Sequence, residues 1–391
     1  MQETQNKPIL FTQLRPSMWQ YRLAQAMKQK GYKTALICLL NKFNKEQFPR
    51  AFDEIIYPDL DNLKPWIVFK KMLLHPIIFF GFFLKLITIQ PKILIAEGAP
   101  HYLASFFIWF FKNKCKRIFF PYDFNYSRFK KPEKFIPKRE LWGEKYAFRN
   151  CDAIFFKSAP WEFELLPEDM KKDIKNKPKF GIPSYADTQL FLKPNQKQKI
   201  SYKTKEIHLV NAGTFLEDAS LYRNMSEFLY FILKQSIHLH FYTHRGGIGK
   251  SEIKKITRGE NNLEKQFHLH DKILSPEELA KELSKYDYGI NIIFFNNNAK
   301  ERAKGIAATS KIANYLEAGI PILINKHLFY FADMIKKNKI GLVIDDWNLE
   351  DLKLKIKKAD YKQLVKNVLK FRENYSMEAH IDEILVFINK L

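Results

Sequence analysis

Short apolar runs alternate with amphipathic segments along the whole chain. Runs of β-branched and aromatic residues such as KILIA, RIFFP and AIFF predict strands that are buried on both faces, as in a parallel sheet. The segments between these runs repeat their apolar positions with helical spacing. The alternation predicts an α/β fold made of two Rossmann-like, doubly wound domains.

The first half of the chain contains one series of βα units. Its predicted strands are residues 8–14, 33–40, 52–57, 92–96, 117–121 and 153–156. Its predicted helices are residues 18–30, which Gly31 closes, and 102–111. Consecutive units of this kind form a parallel sheet.

A second series follows in the other half. Its predicted strands are residues 207–212, 237–242, 267–269, 289–293, 321–325 and 341–344. Its predicted helices are residues 220–234, 276–285, 310–318 and 328–337.

The stretch between the two series, residues 192–205, has five lysines and no acidic residue, which favours a linker. We therefore expect an N-terminal acceptor-binding domain over 1–192 and a C-terminal donor-binding domain over 206–370. Residues 371–391 are expected to form a helix that packs back on the N-terminal domain.

Composition narrows the class of protein. The 391 residues include 65 Lys and Arg against 42 Asp and Glu, a formal net charge of +23, and 46% of them are apolar. So large an apolar fraction excludes a disordered basic tail. Cys38, Cys115 and Cys151 are scattered, which excludes a disulfide framework and favours a reducing cytoplasm. The longest charge-free stretch, residues 72–84, is too short to span a bilayer.

Residues 310–325, SKIANYLEAGIPILIN, are the most informative segment. An amphipathic helix ends at Gly319, Pro321 sets the exit, and an apolar strand follows. This arrangement resembles the nucleotide-sugar signature of GT-B glycosyltransferases, in particular those of family 4. The residues that carry the resemblance are Lys311, Tyr315, Leu316, Ala318, Gly319 and Pro321.

Further stretches resemble the same family in the expected order. They are Glu144 with residues 151–154 and Ser158, residues 181–183 with Asp187 and Phe191, residues 211–214, residues 275–279, and residues 286–289. Their order over residues 140 to 345 makes a chance similarity improbable.

The resemblance implies a GT-B fold, with the two domains facing each other across a cleft, and transfer of a sugar from a nucleotide-sugar donor. The donor leaves as a diphosphate, so the site must stabilise negative charge with helix N-termini, backbone amides and cations. The implied donor-binding residues are Gly213, Thr214, Arg245, Ile273, Ser310, Lys311, Asn314 and Tyr315. The resemblance implies no metal and no cofactor.

One departure from the family concerns a pair of glutamates that contact the sugar and ribose in retaining members. The corresponding positions hold Asn314 and Ile306. Asn314 can still hydrogen-bond sugar or ribose hydroxyls, but the two-carboxylate chemistry is not supported. Glu317 is expected on the surface of the same helix.

Acceptor-side candidates follow strands of the first half, because the carboxyl ends of parallel strands form the ligand-binding edge. Glu97 ends one strand, His101 opens the next helix, and Asp123 follows another strand. An inverting transfer needs a base for the acceptor hydroxyl proton. Asp123 and His101 are the predicted catalytic residues; their alternative role is to cap a loop or a helix.

Two other patterns favour no site. Residues 244–251, HRGGIGKS, lack the first glycine of a phosphate-binding P-loop. His238, His240, His244, His268 and His270 alternate along predicted strands, which places pairs of them on one face by geometry alone. We expect no metal site.

Basic residues concentrate in the first half. No acidic residue lies between Asp61 and Glu97, and residues 112–150 contain 12 Lys and Arg against 4 Asp and Glu. Together with many aromatic residues, this pattern favours docking on an anionic membrane surface. A compositional bias of the whole proteome explains it equally well. No nucleic-acid reader module is recognisable, so nucleic acid is not an expected partner.

The sequence thus predicts a cytoplasmic GT-B hexosyltransferase, peripheral at the inner face of the membrane. Its expected acceptor is a glycan or lipid-linked saccharide in bacterial surface polysaccharide or lipopolysaccharide synthesis. Two alternatives stay open, a GT-B-shaped nucleotide-sugar epimerase and a non-catalytic binding protein of the same fold. The second stays open because no Gly-rich loop follows the first predicted strand, where FTQLRPSMW stands.

Overall fold

The structure is a computed structural model. It describes residues 7–14, 17–39, 51–57, 76–98, 100–121, 123–129, 131–157, 160–213, 225–242, 250–272, 274–293, 309–344 and 349–391.

The chain divides into two compact units. Unit 1 comprises Met1–Pro183 together with His380–Leu391, and unit 2 comprises Ser184–Ala379. Which unit binds the acceptor and which binds the donor stays a prediction.

Unit 1 contains a parallel sheet of seven strands over its described residues, in the order β3-β2-β1-β4-β5-β6-β7. The strands are β1 (Ile9–Gln13), β2 (Thr34–Cys38), β3 (Glu54–Ile56), β4 (Ile93–Glu97), β5 (Lys116–Phe120), β6 (Ala153–Phe156) and β7 (Lys179–Gly181). The order reverses between β1 and β4, as in a doubly wound fold.

Helices cover this sheet and build its core. They are α1 (Met18–Gln29), α2 (Pro76–Thr88), α3 (His101–Phe110), α4 (Asn125–Arg128), α5 (Lys138–Asn150) and α6 (Glu168–Ile174). Phe107 of α3 and Phe148 of α5 pack with Phe119 of β5 in one buried cluster. Ser17 caps α1 by accepting a hydrogen bond from the backbone N–H of Gln20.

Unit 2 repeats this arrangement with six parallel strands over its described residues, in the order β10-β9-β8-β11-β12-β13. The strands are β8 (Ile207–Ala212), β9 (Ile237–Tyr242), β10 (Phe267–His270), β11 (Tyr288–Asn291), β12 (Ile322–Asn325) and β13 (Gly341–Ile344). The order reverses between β8 and β11.

The helices of unit 2 alternate with these strands. They are α7 (Ile200–Thr204), α8 (Met225–Lys234), α9 (Lys250–Thr257), α10 (Asn261–Glu264), α11 (Pro276–Leu283), α12 (Ser310–Ala318), α13 (Phe329–Asn338), α14 (Leu352–Lys358) and α15 (Tyr361–Asn374). Leu209, Phe241 and Ile290 belong to the buried core beneath α8 and α14.

The last helix, α16 (Met377–Asn389), ends in unit 1. The ring of Phe387 lies 5.6 Å from that of Phe155 and 5.3 Å from that of Phe180. Aromatic contacts of this kind anchor the C-terminus on the end of the first sheet.

The predicted strands and helices recur with small shifts at their ends. The structure adds helices that were not predicted, among them α2, α5, α6 and α14, and it divides the helix expected over 371–391 between α15 and α16. Two further features differ. Strand β7 was not predicted, because a three-residue strand that contains Lys179 and Gly181 has no periodicity to detect. The lysine-rich stretch expected to be a linker contains α7 and belongs to unit 2. Ser201 anchors it by donating a hydrogen bond to Asp287 at 2.6 Å. Residues 220–224 of a predicted helix lie outside the described residues.

No helix in the described part of the chain has the length and apolarity needed to cross a membrane. Cys38, Cys115 and Cys151 are free thiols.

Candidate functional site

Asn211, Gly213 and Lys311 form a polar group in unit 2. It lies where the strand order of the sheet reverses, between β8 and β11. Strand β8 pairs with β9 on one side and with β11 on the other. Ligands of doubly wound sheets bind beyond the carboxyl ends of the strands at such a switch point. Asn211 and Gly213 stand at that end of β8.

Helix α12 begins at this edge of the sheet. Thr309 caps it, because its hydroxyl accepts a hydrogen bond from the backbone N–H of Lys311 at 3.2 Å. Gly319 ends it in the left-handed conformation, with φ +70°. The free N–H groups of a helix N-terminus attract anions.

Lys311 is turned toward β8. Its Nζ donates a hydrogen bond to Oδ1 of Asn211 at 2.7 Å. Gly213 has φ +140°, and a Cβ there would lie 3.1 Å from Cε of Lys311. Burial lowers the pKa of Lys311 to about 8. The structure therefore places a cation, an amide and a side-chain-free backbone together, which suits a bound diphosphate.

The Tyr315 side chain holds α12 against strands β8 and β11 at the switch point. Its hydroxyl accepts a hydrogen bond from the N–H of Ala212 at 3.2 Å and donates to the carbonyl of Ile290 at 2.8 Å. A Cβ on Gly289 would lie 2.3 Å from the Tyr315 ring. Glycine is thus required at 289 so that the ring can cross β11. Tyr315 is fully buried, so its contacts position the helix.

The other predicted residues of α12 have different environments. Ser310 is half-buried on the first turn, and Asn314 is buried. Glu317 was expected on the surface, but only 2% of it is exposed. Its carboxylate accepts a hydrogen bond from the backbone N–H of Asp187 at 2.9 Å, which holds the start of unit 2 against the helix. Three donor-binding candidates, Thr214, Arg245 and Ile273, lie outside the described residues, as do Ile306 and residues 243–249.

Unit 1 has its own polar cluster at the switch point between β1 and β4. Glu97 accepts hydrogen bonds from Gln13 Nε2 at 2.6 Å and from the Ser17 hydroxyl at 3.2 Å. The three residues come from the ends of two adjacent strands and from the cap of α1. Burial raises the pKa of Glu97 to about 8, although nearby Lys157 opposes the shift. Glu97 is therefore largely protonated at neutral pH.

Asp123 lies beside this cluster. Its carboxylate forms an ion pair with Nζ of Lys157 at 3.5 Å, and 28% of its side chain is exposed. The Asp123 carboxylate is therefore accessible from solvent.

His101, the other predicted catalytic residue, is packed between α3, α4 and α5. Its Nδ1 lies 2.9 Å from Nδ2 of Asn125, and its Nε2 lies 3.9 Å from Glu144. Its backbone N–H donates to Glu140 at 2.8 Å. Burial also raises the pKa of Glu144 to about 7. With 5% of its side chain exposed, His101 lies in the packed interior of unit 1.

Sequence reasoning did not assign roles to Gln13, Ser17, Lys157 and Asn211. Gln13 and Glu97 end neighbouring parallel strands, so the rule that such ends meet at one edge could have linked them. Lys157 follows β6 in the same way. Asn211 was quoted only for its place in a motif.

Part of the chain is similar to a known protein family. Residues 231–387 match the sequence profile of the glucosyltransferase 3-like family, C-terminal domain. Among curated proteins, no sequence matches the chain.

Solved structures match over nearly the whole chain. Sucrose-phosphate synthase from Thermosynechococcus elongatus is 12% identical over 98% of this chain and 99% of that one, with a TM-score of 0.66. HepE from Anabaena, in complex with UDP and glucose, is 10% identical over 99% and 100%, with a TM-score of 0.64. A glycosyltransferase from Rickettsia africae is 12% identical over 98% of each chain, with a TM-score of 0.55. At such low identity these likenesses define the fold.

The solved structures show that the chain has the GT-B fold, and the profile match over residues 231–387 is to a domain of glucosyltransferase type. Within that fold, the match of residues 231–387 is a similarity to the glucosyltransferase 3-like C-terminal domain. The resemblance found in the sequence is thereby confirmed.

Proposed function

We propose that this protein transfers a hexose from a nucleotide sugar to a glycan or lipid-linked saccharide, in the synthesis of a bacterial surface polysaccharide or lipopolysaccharide. The observation that supports donor binding in unit 2 is the pairing of Lys311 with Asn211 at the N-terminus of α12.

The donor diphosphate would lie against this N-terminus. Lys311 has three N–H donors and can bind a phosphate oxygen while it keeps its bond to Asn211. Gly213 lets the phosphate approach the backbone, and Ser310 offers a hydroxyl on the first turn. Thr214, Arg245 and Ile273 remain proposed donor contacts, while Asn314 is proposed to bind a sugar or ribose hydroxyl.

The transfer step needs a base on the acceptor side. The acceptor oxygen forms a bond to the anomeric carbon as the bond from that carbon to the diphosphate oxygen breaks, and the hydroxyl proton passes to a base. We assign that base to Asp123, because its carboxylate is accessible. His101 is proposed to position α3 and α4 near it. Lys311 and the α12 N–H groups stabilise the leaving diphosphate.

The acceptor is proposed to lie on the cytoplasmic face of an anionic membrane. Helices α2 and α3 contact each other through Phe83 and Phe110, whose rings lie 6.0 Å apart. Large apolar side chains of the two helices are exposed: Phe80, Leu84, Ile87, Phe106 and Trp109. Lys85, Lys112 and Lys114 are exposed on the same segments. Apolar insertion combined with lysine attraction suits anionic lipid.

Titration of the full chain with nucleoside diphosphates and nucleotide sugars tests the donor part. UDP, bound in the HepE structure, is the first probe. We expect saturable binding of one nucleotide class that Lys311→Met weakens by about tenfold or more, with Lys336→Met as the control. No binding of any nucleotide would refute the proposal and favour a non-catalytic fold.

Product analysis separates the remaining classes. Release of the nucleoside diphosphate with transfer to a lipid-linked saccharide supports the glycosyltransferase. Interconversion of free nucleotide sugars without acceptor would instead establish an epimerase.

A further inference from the structure

Histidine side chains line one face of the second sheet across three neighbouring strands. His208 lies on β8, His238 and His240 on β9, and His268 and His270 on β10. His208 is in register with His238, and His240 with His268. Their rings stack with centroids 4.5 Å and 4.2 Å apart. The histidine row is therefore built from cross-strand pairs.

Glu206 adds a carboxylate to one end of this row. It lies two positions before His208, and residues two apart in a strand share a face. Its Oε2 lies 2.8 Å from Nε2 of His238. One possible ligand atom from each of Glu206, His208 and His238 lies within 4.8 Å of the other two. The sequence pattern of alternating histidines did not include this carboxylate.

The second nitrogen of both histidines already has a partner. Nδ1 of His208 lies 3.0 Å from Nε2 of His240, and Nδ1 of His238 lies 2.9 Å from Nε2 of His268. A histidine that binds a metal through Nε2 carries its proton on Nδ1 and donates it to an acceptor. Both rings have that acceptor in place. Nε2 of His238 faces Glu206, and Nε2 of His208 lies 2.9 Å from the Thr204 hydroxyl, a hydrogen bond that a bound ion would replace.

We propose that Glu206, His208 and His238 bind a divalent transition-metal ion, with Zn²⁺ as the metal that this ligand set favours. Two imidazoles, one carboxylate and a water molecule form a common four-coordinate zinc site. The ion replaces the proton shared by His238 and Glu206.

This site is distinct from the donor site. Glu206 immediately precedes β8, whereas Asn211 stands at the carboxyl end of that strand. Five residues of strand separate them by about 16 Å. The ion would tie the start of β8 to β9, and no step of sugar transfer passes through it. The proposal is independent of the proposed function.

Zinc titration of the untagged full chain tests the site. We expect one Zn²⁺ per chain and a higher melting temperature with zinc, because a ligand that binds the folded state stabilises it. Co²⁺ should give the visible absorption of a four-coordinate ion. Glu206→Gln and His238→Gln should weaken zinc binding by about tenfold or more, while UDP affinity is unchanged.

Matched controls in the same unit are Glu350→Gln and His327→Gln, which should bind zinc as the unaltered chain does. Glu206 is 48% exposed, so Glu206→Gln decides the question if His238→Gln fails to fold. Absence of stoichiometric zinc binding, or equal affinity in Glu206→Gln and the unaltered chain, would overturn the assignment.

Discussion

Nζ of Lys311 donates a hydrogen bond to Oδ1 of Asn211 at 2.7 Å and thereby joins the first turn of α12 to the end of β8. The two residues are 100 positions apart in the sequence. Parallel strand order brings them together, because β11, which leads to α12, pairs with β8. A half-buried lysine beside an uncharged amide loses solvation that an anionic ligand can replace.

Lys311→Met should weaken nucleotide binding without lowering the melting temperature of the protein. Without its cation the site should lose about tenfold or more in nucleoside diphosphate affinity. The melting temperature should stay the same or rise, since the folded state no longer carries a partly desolvated charge. Calorimetric titration and thermal unfolding measure the two effects. Equal nucleotide affinity in both proteins would contradict the assigned role.

Nucleotide affinity should also depend on pH through Lys311. The pKa of this lysine is lowered to about 8, so its charge is present below that pH and lost above it. Affinity for UDP should therefore decline as the pH rises above about 8, and the decline should be absent in Lys311→Met. Titrations at several pH values check this, and parallel slopes in the two proteins would exclude Lys311 as the cause.

Gly289→Ala should destabilise unit 2. The new Cβ would lie 2.3 Å from the fully buried Tyr315 ring, so the ring or the strand would have to shift. We expect a loss of about 3 kcal/mol in the free energy of unfolding, measured by denaturant titration. Tyr315→Leu in the same chain should recover part of the loss. Gly81→Ala, where no atom lies within 4 Å, is the control and should not destabilise.

Glu97 should make unit 1 less stable as the pH rises. Its folded pKa of about 8 lies above the ordinary value of 4.5, so the stability it contributes is complete below about pH 4.5 and is lost as the pH approaches 8. Glu97→Gln, a neutral mimic, should be more stable than the unaltered chain at pH 8 by about 4 kcal/mol and nearly equal to it at pH 4.5. Glu164→Gln serves as an exposed control. The same difference at both pH values would rule out this titration.

Asp123→Asn should block transfer and spare donor binding. Loss of a general base costs roughly 10²-fold to 10⁴-fold in rate. UDP affinity should stay within about twofold, since the assigned donor residues lie in unit 2. Asp169→Asn, which breaks the surface pair with Lys145, controls for loss of an acidic residue. A normal rate in Asp123→Asn would move the base to another residue, and His101→Gln tests that candidate.

Trp109→Ser should reduce binding to anionic vesicles. Withdrawing one inserted aromatic ring costs on the order of 2 kcal/mol, or more than tenfold in partitioning. Sedimentation with phosphatidylserine-containing vesicles measures the loss of binding. The difference between these vesicles and neutral ones measures the contribution of the lysines. Tyr202→Ser, at an exposed aromatic of unit 2, should have no effect. If the unaltered chain binds neither vesicle, the membrane proposal fails.

The sequence by itself determined the elements and their class. The strands predicted at 153–156, 207–212 and 237–242 match β6, β8 and β9 at their observed bounds. The run AIFF at 153–156 is continuously apolar, as a strand buried on both faces requires. The amphipathic pattern of residues 310–318 predicts α12, and Gly319 marks the end of that helix. The motif around Lys311 also indicated the glycosyltransferase class that the family match supports.

Only the tertiary structure decided which polar residues meet. Asn211 with Lys311, Glu97 with Gln13, and Glu206 with His238 come from segments that are distant in sequence. Such pairs depend on strand order and register, which local periodicity does not contain. Burial is decided in the same way. His101 is enclosed by helices contributed by residues 125–150, and Glu317 is buried by the chain around Asp187, which no pattern along α3 or α12 reveals.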